Sequence, residues 1–337
     1  MSGPARRRYG DRMGRYPEIE PYDQGMLDAG DGNRLHWETS GNPHGKPAVV
    51  LHGGPGSGSG AGLRRYFDPA AYRIVLFDQR GAGRSRPSAA APATDMGVNT
   101  APHLMADLER LRAHLGIERW LVWGVSFGSA LGLRYAQTHP GVVSELVLTG
   151  VATGSPAEVD LLTRGLGRIF PEAHERFLAE LPEGERDRNL AAAYNRLLES
   201  PDPEVRARAA QAWTDWETAI IPAPPGSVER FRDPEFRYGF ARTVTHYWGN
   251  DHFFGDFPGD GGEEGVVLRD AHLLKDIPGT LVQGSLDFGN LLGIVWRLHH
   301  AWPGSELVVV DDAGHDAGAV GDDALVAATD RYARSRP

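Results

Sequence analysis

One stretch of the chain, residues 120–132 (WLVWGVSFGSALG), constrains the fold more than any other. The apolar run at its start is typical of a strand covered on both faces, and the small and helix-favouring residues from Phe127 to Gln137 predict a helix. Between them lies a Gly-x-Ser-x-Gly pattern, in which the serine occupies a strained turn and the glycines let strand and helix pass close together. We therefore predict that Ser126 is a nucleophile presented at the edge of a sheet.

The alternative for this pattern is a chance match, because the chain contains 43 glycines. Ser126, however, is the only serine that has a glycine both two residues before it and two residues after it. It also lies between a predicted strand and a predicted helix, which is the context that the pattern requires. This context favours the functional interpretation.

The length and composition are those of a globular protein. The 337 residues allow one large domain, or a domain with a substantial insertion, and 41% of them are hydrophobic. The net charge of −10 argues against a nucleic acid or an anionic membrane surface as a partner. The absence of cysteine excludes disulfides, a thiolate nucleophile and cysteine-bound metal. No signal peptide or membrane-spanning run is recognisable, so we expect a soluble, cytoplasmic protein.

Strands and helices alternate along most of the chain, and this rhythm predicts a mainly parallel sheet with right-handed crossovers. A hairpin is predicted around residues 30–33, where a Gly-Asp-Gly-Asn turn separates two strand-like segments. The further predicted strands are residues 47–51, 72–77, 120–123, 143–148, 280–284 and 306–310.

The alternation of predicted strands and helices stops after Gly150 and resumes near the predicted strand at residue 280. The intervening residues carry helical patterns and two proline-rich breaks, at 201–203 and 222–225. A helical insertion over the carboxyl ends of the strands is the economical explanation. We therefore divide the chain into an N-terminal arm (1–24), a first part of the core (25–151), a helical cap insertion (152–270) and a second part of the core (271–337).

A serine nucleophile needs a general base, and the base needs a group that fixes its tautomer. In a fold that presents its serine on such a turn, an acid and then a histidine follow the serine along the chain. Asp287 comes just after the predicted strand 280–284, and His315 comes just after the last predicted strand. Because these strand ends should converge, we assign Ser126 as nucleophile, His315 as general base and acid, and Asp287 as the group that orients the histidine.

Other residues compete for two of these roles. We prefer Asp287 because it lies at a strand end of its own, from which it can reach the far side of an imidazole. For His315, the alternative is a surface loop histidine with no catalytic role. The competing acids are Asp311, Asp312 and Asp316, and the competing histidines are His246, His252, His272, His299 and His300.

The negative charge that develops on a substrate carbonyl oxygen needs preorganised hydrogen-bond donors. One predicted donor is the backbone N–H of Phe127, which follows the nucleophile, and the other is that of Gly54, in the glycine-rich turn after strand 47–51. A plain tight turn is the alternative for Gly54. A phosphate-binding loop is excluded because no Gly-Lys-Ser/Thr follows, and the dinucleotide pattern is also missing, so we expect no nucleotide cofactor.

Several short motifs accompany the turn at Ser126. They are residues 16–22 (YPEIEPY), 52–56 (HGGPG), 78–85 (DQRGAGRS), 135–140 (YAQTHP) and 312–315 (DAGH). Together they resemble the proline iminopeptidases, which are serine exopeptidases with an α/β-hydrolase fold, and the similarity runs from about residue 16 to residue 316. The resemblance implies an α/β-hydrolase fold with a mainly parallel central sheet flanked by helices and an inserted helical cap. It supports the triad and the oxyanion donors, and it implies no metal or organic cofactor.

The resemblance also implies how the substrate is bound. Proline iminopeptidases hold the ammonium group of an N-terminal proline with acidic side chains of the cap, and one of these glutamates follows a Trp-x-x-Trp pair. Glu217 stands at that position, directly after Trp216, although a solvated helix charge is the alternative interpretation. A second family glutamate is replaced by Val244, three residues before Tyr247, so the pocket loses one negative charge. The substrate-binding residues implied are therefore Glu217, Trp216, Val244 and Tyr247.

Other departures from the family pattern also lie around the predicted site. Phe127 stands where the family usually has tryptophan, and Val125 stands where it has glycine. Asp215 and Asp251 are candidates to restore the charge lost at Val244. We infer that the catalytic residues are intact and that substrate recognition has drifted.

The leading interpretation is a serine hydrolase that resembles proline iminopeptidase and releases an N-terminal proline, or a similar residue, from peptides or amides through an acyl-enzyme. The alternative enzyme is a specialised hydrolase or acyltransferase acting on an amide or ester of a secondary metabolite, which the valine at position 244 favours. A non-catalytic binding protein is disfavoured, since Ser126, Asp287 and His315 are all present. The expected partner is a small peptide, amide or ester, with no nucleic acid and no membrane, and the oligomeric state is left open.

Overall fold

Strands lie in every segment where the sequence predicts one. The computed structural model describes residues 14–221, 228–257 and 259–334, so the predicted break at 222–225 lies outside the described residues. The strands are β1 (Pro21–Gly30), β2 (Asn33–Gly41), β3 (Lys46–Leu51), β4 (Tyr72–Phe77), β5 (Trp120–Val125), β6 (Val143–Thr149), β7 (Gly279–Gly284) and β8 (Ser305–Val310).

These strands form one sheet in the spatial order β1-β2-β4-β3-β5-β6-β7-β8. β1 and β2 are the predicted hairpin, and β2 also pairs antiparallel with β4. The other neighbouring pairs, from β4-β3 to β7-β8, are parallel. The carboxyl ends of six strands therefore meet at one edge of the sheet, where open α/β sheets bind their ligands.

Helices connect the strands. They are α1 (Ala101–His114), α2 (Phe127–Thr138), α3 (Pro156–Thr163), α4 (Pro171–Ala179), α5 (Leu190–Leu198), α6 (Pro203–Ile220), α7 (Pro234–Trp248), α8 (Gly265–Arg269), α9 (Leu292–Ala301) and α10 (Gly318–Ala333). Short 3-10 segments lie between them, among them Ala61–Tyr66 and Arg230–Arg232.

Several of these helices begin at a proline that follows a capping residue. The side chain of Asp202 accepts a hydrogen bond from the backbone N–H of Glu204 at the start of α6, and Asp233 does the same for Glu235 at the start of α7. Proline is suited to this first position because its missing N–H would have no partner inside the helix. The proline-rich break at 201–203 is therefore the start of a helix within the inserted region.

The sheet is covered on both faces because successive residues of its central strands point to opposite sides. In β3, Val49 and Leu51 pack into a cluster with α1 and α2, and Ala48 and Val50 pack into a second cluster with α10. Trp120 and Trp123 of β5 divide between the two clusters in the same way. The apolar run that precedes Ser126 is therefore a strand buried on both faces, as its composition predicts.

The helices between β6 and β7 pack around aromatic side chains. Phe177 of α4 stacks on Tyr194 of α5, with ring centroids 4.5 Å apart, and on Trp216 of α6, at 5.3 Å. Trp213 meets Trp248 of α7 edge to face, with centroids 5.7 Å apart. These helices occupy the segment predicted as a cap, and the division of the chain into arm, core and cap stays a prediction. Its first boundary needs one change, because β1 begins at Pro21, inside the segment 1–24 assigned to the arm.

Candidate active site

Ser126 occupies the turn between β5 and α2, and its backbone has a positive φ of 55°, which residues other than glycine seldom adopt. Close packing explains both glycines around it. A Cβ at Gly124 would lie 2.5 Å from the carbonyl oxygen of Gly128, and a Cβ at Gly128 would collide with the carbonyl oxygen of Leu51. The strained serine therefore stands where the backbones of β3, β5 and α2 are in close contact. Its side chain lies on the wall of a cavity at the carboxyl edge of the sheet.

The imidazole of His315 contacts the carboxylate of Asp287. Nδ1 of His315 lies 2.9 Å from Oδ2 and 3.1 Å from Oδ1 of Asp287. The side chain of Asp287 is fully buried, whereas that of His315 is 21% exposed and lines the same cavity as Ser126. Because Nδ1 of His315 is hydrogen-bonded to Asp287, the other ring nitrogen, Nε2, is the one that can exchange a proton with Ser126.

The carboxylate of Asp287 is itself held by three donors. Oδ1 accepts hydrogen bonds from the backbone N–H groups of Gly289 and Asn290, at 2.9 and 3.0 Å, and Oδ2 accepts one from Nε2 of Gln283, at 2.9 Å. The side chain of Asn290 donates to the carbonyl oxygen of Gly150, which directly follows β6. Sequence reasoning missed Gln283 and Asn290, although an amide side chain near the end of an otherwise apolar buried strand is the signal that could have pointed to Gln283.

The electrostatics of His315 reflect its burial and its partner. Burial alone would lower the pKa of His315, but the adjacent Asp287 carboxylate outweighs this and raises the pKa above its ordinary value of 6.5. Asp316 and Glu217 act in the same direction as Asp287. Asp287 thus stabilises the imidazolium that forms when His315 takes a proton.

The competing residues are less well placed. Among the described residues Asp287 is the carboxylate that pairs with His315, while Asp311 and Asp312 are exposed. His252 also lines the cavity, but it is packed against the rings of Phe127 and Phe254, and its burial lowers its pKa to about 4. Of the other histidines, His299 and His300 lie on α9, and His246 is hydrogen-bonded to a backbone carbonyl.

The two predicted oxyanion donors border the serine. Phe127 is the first residue of α2, where a backbone N–H has no partner within the helix. The turn after β3 passes close to the nucleophile, since a Cβ at Gly53 would lie 3.0 Å from the Cβ of Ser126. Gly54 has a φ of +109°, and a Cβ there would lie 2.7 Å from the backbone nitrogen of Gly56, so only glycine fits. The N–H of Gly54 donates to none of the described residues.

His52 and Gln79 hold this turn in place. The backbone N–H of Gln79 donates to Nε2 of His52 at 3.0 Å, and the side-chain amide of Gln79 donates to the carbonyl oxygen of His52 at 3.0 Å. Nδ1 of His52 then donates to the carbonyl oxygen of Gly53, and burial lowers the pKa of His52, which keeps the ring neutral. The two motifs at residues 52–56 and 78–85 therefore form one unit behind the serine.

We expect Gln79→Ala to lower kcat by about tenfold with little change in KM, because loss of its amide loosens the turn that carries Gly54 without removing a substrate contact. Steady-state kinetics with an activated ester will measure both constants, and the melting temperature will show whether the fold is retained. Gln24→Ala, on the exposed side of β1, is the matched control. An unchanged kcat in a folded Gln79→Ala protein would contradict the positioning role.

The cavity that Ser126 faces has a volume of about 450 Å³, which suits a small ligand. Most of its wall is apolar, and three carboxyl groups line it. Glu158 is engaged in capping α3, where its carboxylate accepts hydrogen bonds from the backbone N–H groups of Thr153 and Ser155. Asp316 is exposed beside His315. Glu217 projects from α6 onto the wall of this cavity.

Burial raises the pKa of Glu217 to about 7, although a hydrogen bond from the indole N–H of Trp213 and the nearby His315 both act to lower it. The indole nitrogen of Trp213 lies 2.6 Å from Oε1 of Glu217. Glu217 is only partly exposed and lines the cavity that Ser126 and His315 share. A cation bound in this cavity would therefore stabilise the ionised carboxylate.

Comparison with known proteins identifies the family. Residues 46–322 match the family described as alpha/beta hydrolase fold. The chain is 82% identical over 322 residues to the "Probable proline iminopeptidase" of Streptomyces coelicolor, and the match covers 96% of this chain and 98% of that protein. The chain belongs to the proline iminopeptidase family. The resemblance inferred from the motifs and the predicted fold class are thus confirmed.

Other similar proteins are more distant. The proline iminopeptidase of Xylella fastidiosa is 45% identical over 321 residues, covering 94% of this chain and 98% of that protein. A crystal structure of a proline iminopeptidase-related protein from Thermus thermophilus shares the fold, with a TM-score of 0.59 and 22% identity over 92% of this chain and 99% of that one.

Three of the four substrate-binding residues implied by the family resemblance do not line the cavity. Trp216 is buried among the aromatic rings, and its indole N–H donates to the carbonyl oxygen of Leu162. Tyr247 donates its hydroxyl hydrogen to Asn99, and its ring packs against that of Phe127. The structure does not place Trp216, Tyr247 or Val244 among the residues that line the cavity, and their assignment as substrate-binding residues stays a prediction.

Val244 is fully buried in α7, between residues that do reach the cavity. Phe240 and Trp248 lie four residues on either side of it and line the wall, so Val244 belongs to the same face of the helix but lies beneath that wall. Neither candidate for restoring the lost charge reaches the cavity, since Asp215 is exposed beside Gln211 and Asp251 accepts a hydrogen bond from Gly259. Of the acidic residues considered for the substrate's ammonium group, Glu217 is thus the one that lines the cavity.

Two further properties concern the described part of the chain. No three His, Cys, Asp or Glu side chains within residues 14–221, 228–257 and 259–334 are arranged to hold a metal ion. In the same ranges, no helix has both the length and the apolar composition needed to cross a membrane. The absence of a cofactor stays a prediction.

Proposed function

We propose that this protein is a serine exopeptidase that releases an N-terminal proline, or a similar small residue, from short peptides or amides. The observation that carries the proposal is the half-buried carboxyl group of Glu217 in the same cavity as Ser126 and His315. A catalytic serine supports hydrolysis of many amides and esters, whereas an acidic group beside it selects a substrate with a free amine. The named relatives, at 82% and 45% identity, support the same assignment.

In this proposal the Oγ–H bond of Ser126 breaks as Oγ forms a bond to the substrate carbonyl carbon, and the proton passes to Nε2 of His315. The C–N bond then breaks, the same proton goes to the leaving amine, and the acyl group stays on Ser126 as an ester. A water molecule gives a proton to His315 and attacks this ester. The proton returns to Oγ as the carboxylic acid leaves. Asp287 keeps Nδ1 protonated throughout.

The oxyanion of each tetrahedral intermediate is held by the backbone N–H groups of Phe127 and Gly54 in this scheme. The strain at Ser126 and the tight turn at Gly54 support it, because both are set by backbone packing before a substrate arrives. Donors fixed in advance need no reorganisation when charge develops on the carbonyl oxygen. Each such donor contributes about a hundredfold to the rate in serine hydrolases.

The function is tested by comparing three substrates: proline p-nitroanilide, N-acetyl-proline p-nitroanilide and a p-nitrophenyl ester. We expect fast cleavage of the free prolyl anilide and rejection of the acetylated one, because acetylation removes the ammonium group that Glu217 would bind. Cleavage of the ester alone would contradict the exopeptidase assignment while supporting the catalytic residues. Turnover of none of the three would contradict both.

Replacement of Glu217 by glutamine should lower kcat/KM for proline p-nitroanilide by about tenfold or more and leave the ester reaction nearly unchanged, because a partly buried ion pair with the substrate is lost. Asp215→Asn, on the exposed face of the same helix, is the matched control. Equal losses for anilide and ester would contradict the recognition role.

The same variant should be more stable than the natural protein above pH 7. The pKa of Glu217 in the folded state is about 7, above the ordinary value of 4.5, so the folded state favours the protonated group. The stability contributed by this group is fully present below about pH 4.5 and is lost as the pH rises through 7. Glu217→Gln cannot ionise, and urea unfolding at pH 8 should show a gain of about 2 kcal/mol that disappears near pH 4.5.

A second candidate function is a hydrolase or acyltransferase acting on an amide or ester of a secondary metabolite. It is favoured by the valine at position 244 and by the aromatic wall formed by Phe231, Phe236 and Phe240. Cleavage of the p-nitrophenyl ester without cleavage of proline p-nitroanilide would distinguish this function from the first. The cytoplasmic location and the absence of nucleic acid and membrane partners also stay predictions, which rest on the composition of the chain.

A further inference from the structure

An arginine on the cavity wall takes no part in the chemistry described so far. Arg230 lies in the 3-10 segment Arg230–Arg232, lines the cavity and is also exposed to solvent, so it stands where the cavity opens. Its Nη2 donates a hydrogen bond to the carbonyl oxygen of Ser57, in the loop that follows Gly54. The guanidinium lies over the ring of Phe236, 4.1 Å from the ring centroid. These two contacts fix the position of the positive charge beside the oxyanion turn.

The charge of Arg230 is not neutralised by a neighbour. Within the described residues no carboxylate lies within 4 Å of its guanidinium, in contrast to Arg64, Arg80 and Arg84, each of which contacts at least one. Burial lowers the pKa of Arg230, and the acidic group that opposes this effect, Asp78, is already hydrogen-bonded to Arg84. A partly desolvated guanidinium with free N–H donors and no counter-ion is suited to bind an anion.

The cavity therefore carries opposite charges in different places. Glu217 interacts electrostatically with His315, and Asp316 lies next to that histidine. Arg230 instead acts on His52 and Asp78, on the side of the oxyanion turn. Glu217 and Arg230 both line the cavity, but Glu217 is hydrogen-bonded to the indole of Trp213 and Arg230 to the loop after Gly54, so an amine and a carboxylate of one substrate would have separate partners there.

We propose that Arg230 binds the free C-terminal carboxylate of a short peptide, so that the preferred substrates are dipeptides with an N-terminal proline. This inference rests on the proposed function and adds the part of the substrate that leaves. A dipeptide spans about 7 Å when extended and carries an ammonium and a carboxylate on opposite sides of its single peptide bond. The planar guanidinium can hold both carboxylate oxygens, which a longer peptide presents only farther from the scissile bond.

The alternative role for Arg230 is structural, since its contacts with Ser57 and Phe236 also brace the loop after Gly54. The two roles differ in what they change. If Arg230 only supports the loop, its replacement should lower kcat/KM equally for every substrate, because all of them use the oxyanion turn. A carboxylate site affects only substrates with a free carboxylate.

The test measures kcat/KM for three substrates: the dipeptide Pro-Gly, its C-terminal amide Pro-Gly-NH2, and proline p-nitroanilide. We expect the natural protein to prefer Pro-Gly over its amide by about tenfold, as a charge-assisted hydrogen-bonded pair at a partly exposed site would give. In Arg230→Gln the preference should disappear, while the amide and the anilide are cleaved within about twofold of the natural rate. Arg230→Lys keeps the positive charge but loses the planar guanidinium that can bind both carboxylate oxygens. It should therefore retain part of the preference for Pro-Gly.

The matched control is Arg232→Gln, two residues away, where the side chain is 83% exposed and pairs with Glu229. It should leave the preference unchanged. Equal cleavage of Pro-Gly and its amide by the natural protein would overturn the carboxylate site while leaving the exopeptidase function intact. An equal fall in kcat/KM for all three substrates in Arg230→Gln would assign a structural role to Arg230 and would also overturn the carboxylate site. If none of the three is cleaved by the natural protein, the proposed function itself fails and this inference fails with it.

Discussion

Replacement of Ser126 by alanine should reduce kcat by about a million-fold, because removal of the nucleophile from such a triad leaves only the oxyanion donors and substrate binding. The small side chain fits the turn, so the melting temperature should change little despite the positive φ. The measurement is steady-state hydrolysis of a p-nitrophenyl ester, together with the mass of the protein after exposure to an organophosphonate that forms a covalent bond with an activated serine.

The natural protein should gain the mass of one phosphonyl group, and Ser126→Ala should gain none. Ser200→Ala is the matched control, because that hydroxyl lies in the loop before α6 and accepts a hydrogen bond from the backbone N–H of Asp202. Substantial ester turnover by the Ser126→Ala protein, or its phosphonylation, would contradict the assignment of Ser126 as the nucleophile. Loss of activity in Ser200→Ala as well would point to a general effect on folding.

Replacement of Asp287 by asparagine should lower kcat by about ten-thousand-fold while the fold is kept, because the histidine loses the anion that fixes its tautomer. In the natural protein the carboxylate of Asp287 accepts hydrogen bonds from Nδ1 of His315 and from three further donors. An amide at this position has one acceptor oxygen and brings an NH2 group among donors, so His315 is no longer held with Nδ1 protonated.

The dependence of kcat on pH gives a second readout of this change. The carboxylate of Asp287 raises the pKa of His315, and activity requires neutral His315. The rising limb of the profile should therefore move to lower pH in Asp287→Asn. Asp311→Asn, an exposed competing acid, is the matched control and should leave both kcat and the limb unchanged. A large loss in Asp311→Asn with a small one in Asp287→Asn would reverse the assignment.

The sequence was sufficient to predict the framework, and to bring the three proposed catalytic residues to one edge of the sheet, for a physical reason. Parallel strands buried on both faces give continuous apolar runs, and the residues that follow them are brought to one edge of the sheet. Asp287 and His315 each follow such a run, and the structure brings their side chains into contact. The strained turn at Ser126 leaves a local signature because its glycines are required by backbone contacts.

The substrate-contacting residues could not be predicted in the same way. Trp216, Val244 and Tyr247 were implied by motif position, but which face of a cap helix meets the cavity depends on how the helices pack on one another. Trp216 turns inward because its ring fits between Phe177 and His174. Arg230 was missed because its place on the cavity wall depends on a contact with the loop after β3, far away in the chain.

The close contact of α2 with β3 has a consequence for how proteins of this family can diversify. The backbone turn that carries the serine is packed against main-chain atoms at Gly124, Gly128 and Leu51. Substitutions on that wall, such as phenylalanine for tryptophan at position 127, can therefore alter which molecule is admitted without displacing the reactive atom. Mutational libraries restricted to the wall and the inserted helices should yield new selectivities at a high rate, whereas those that include the two glycines should yield inactive proteins.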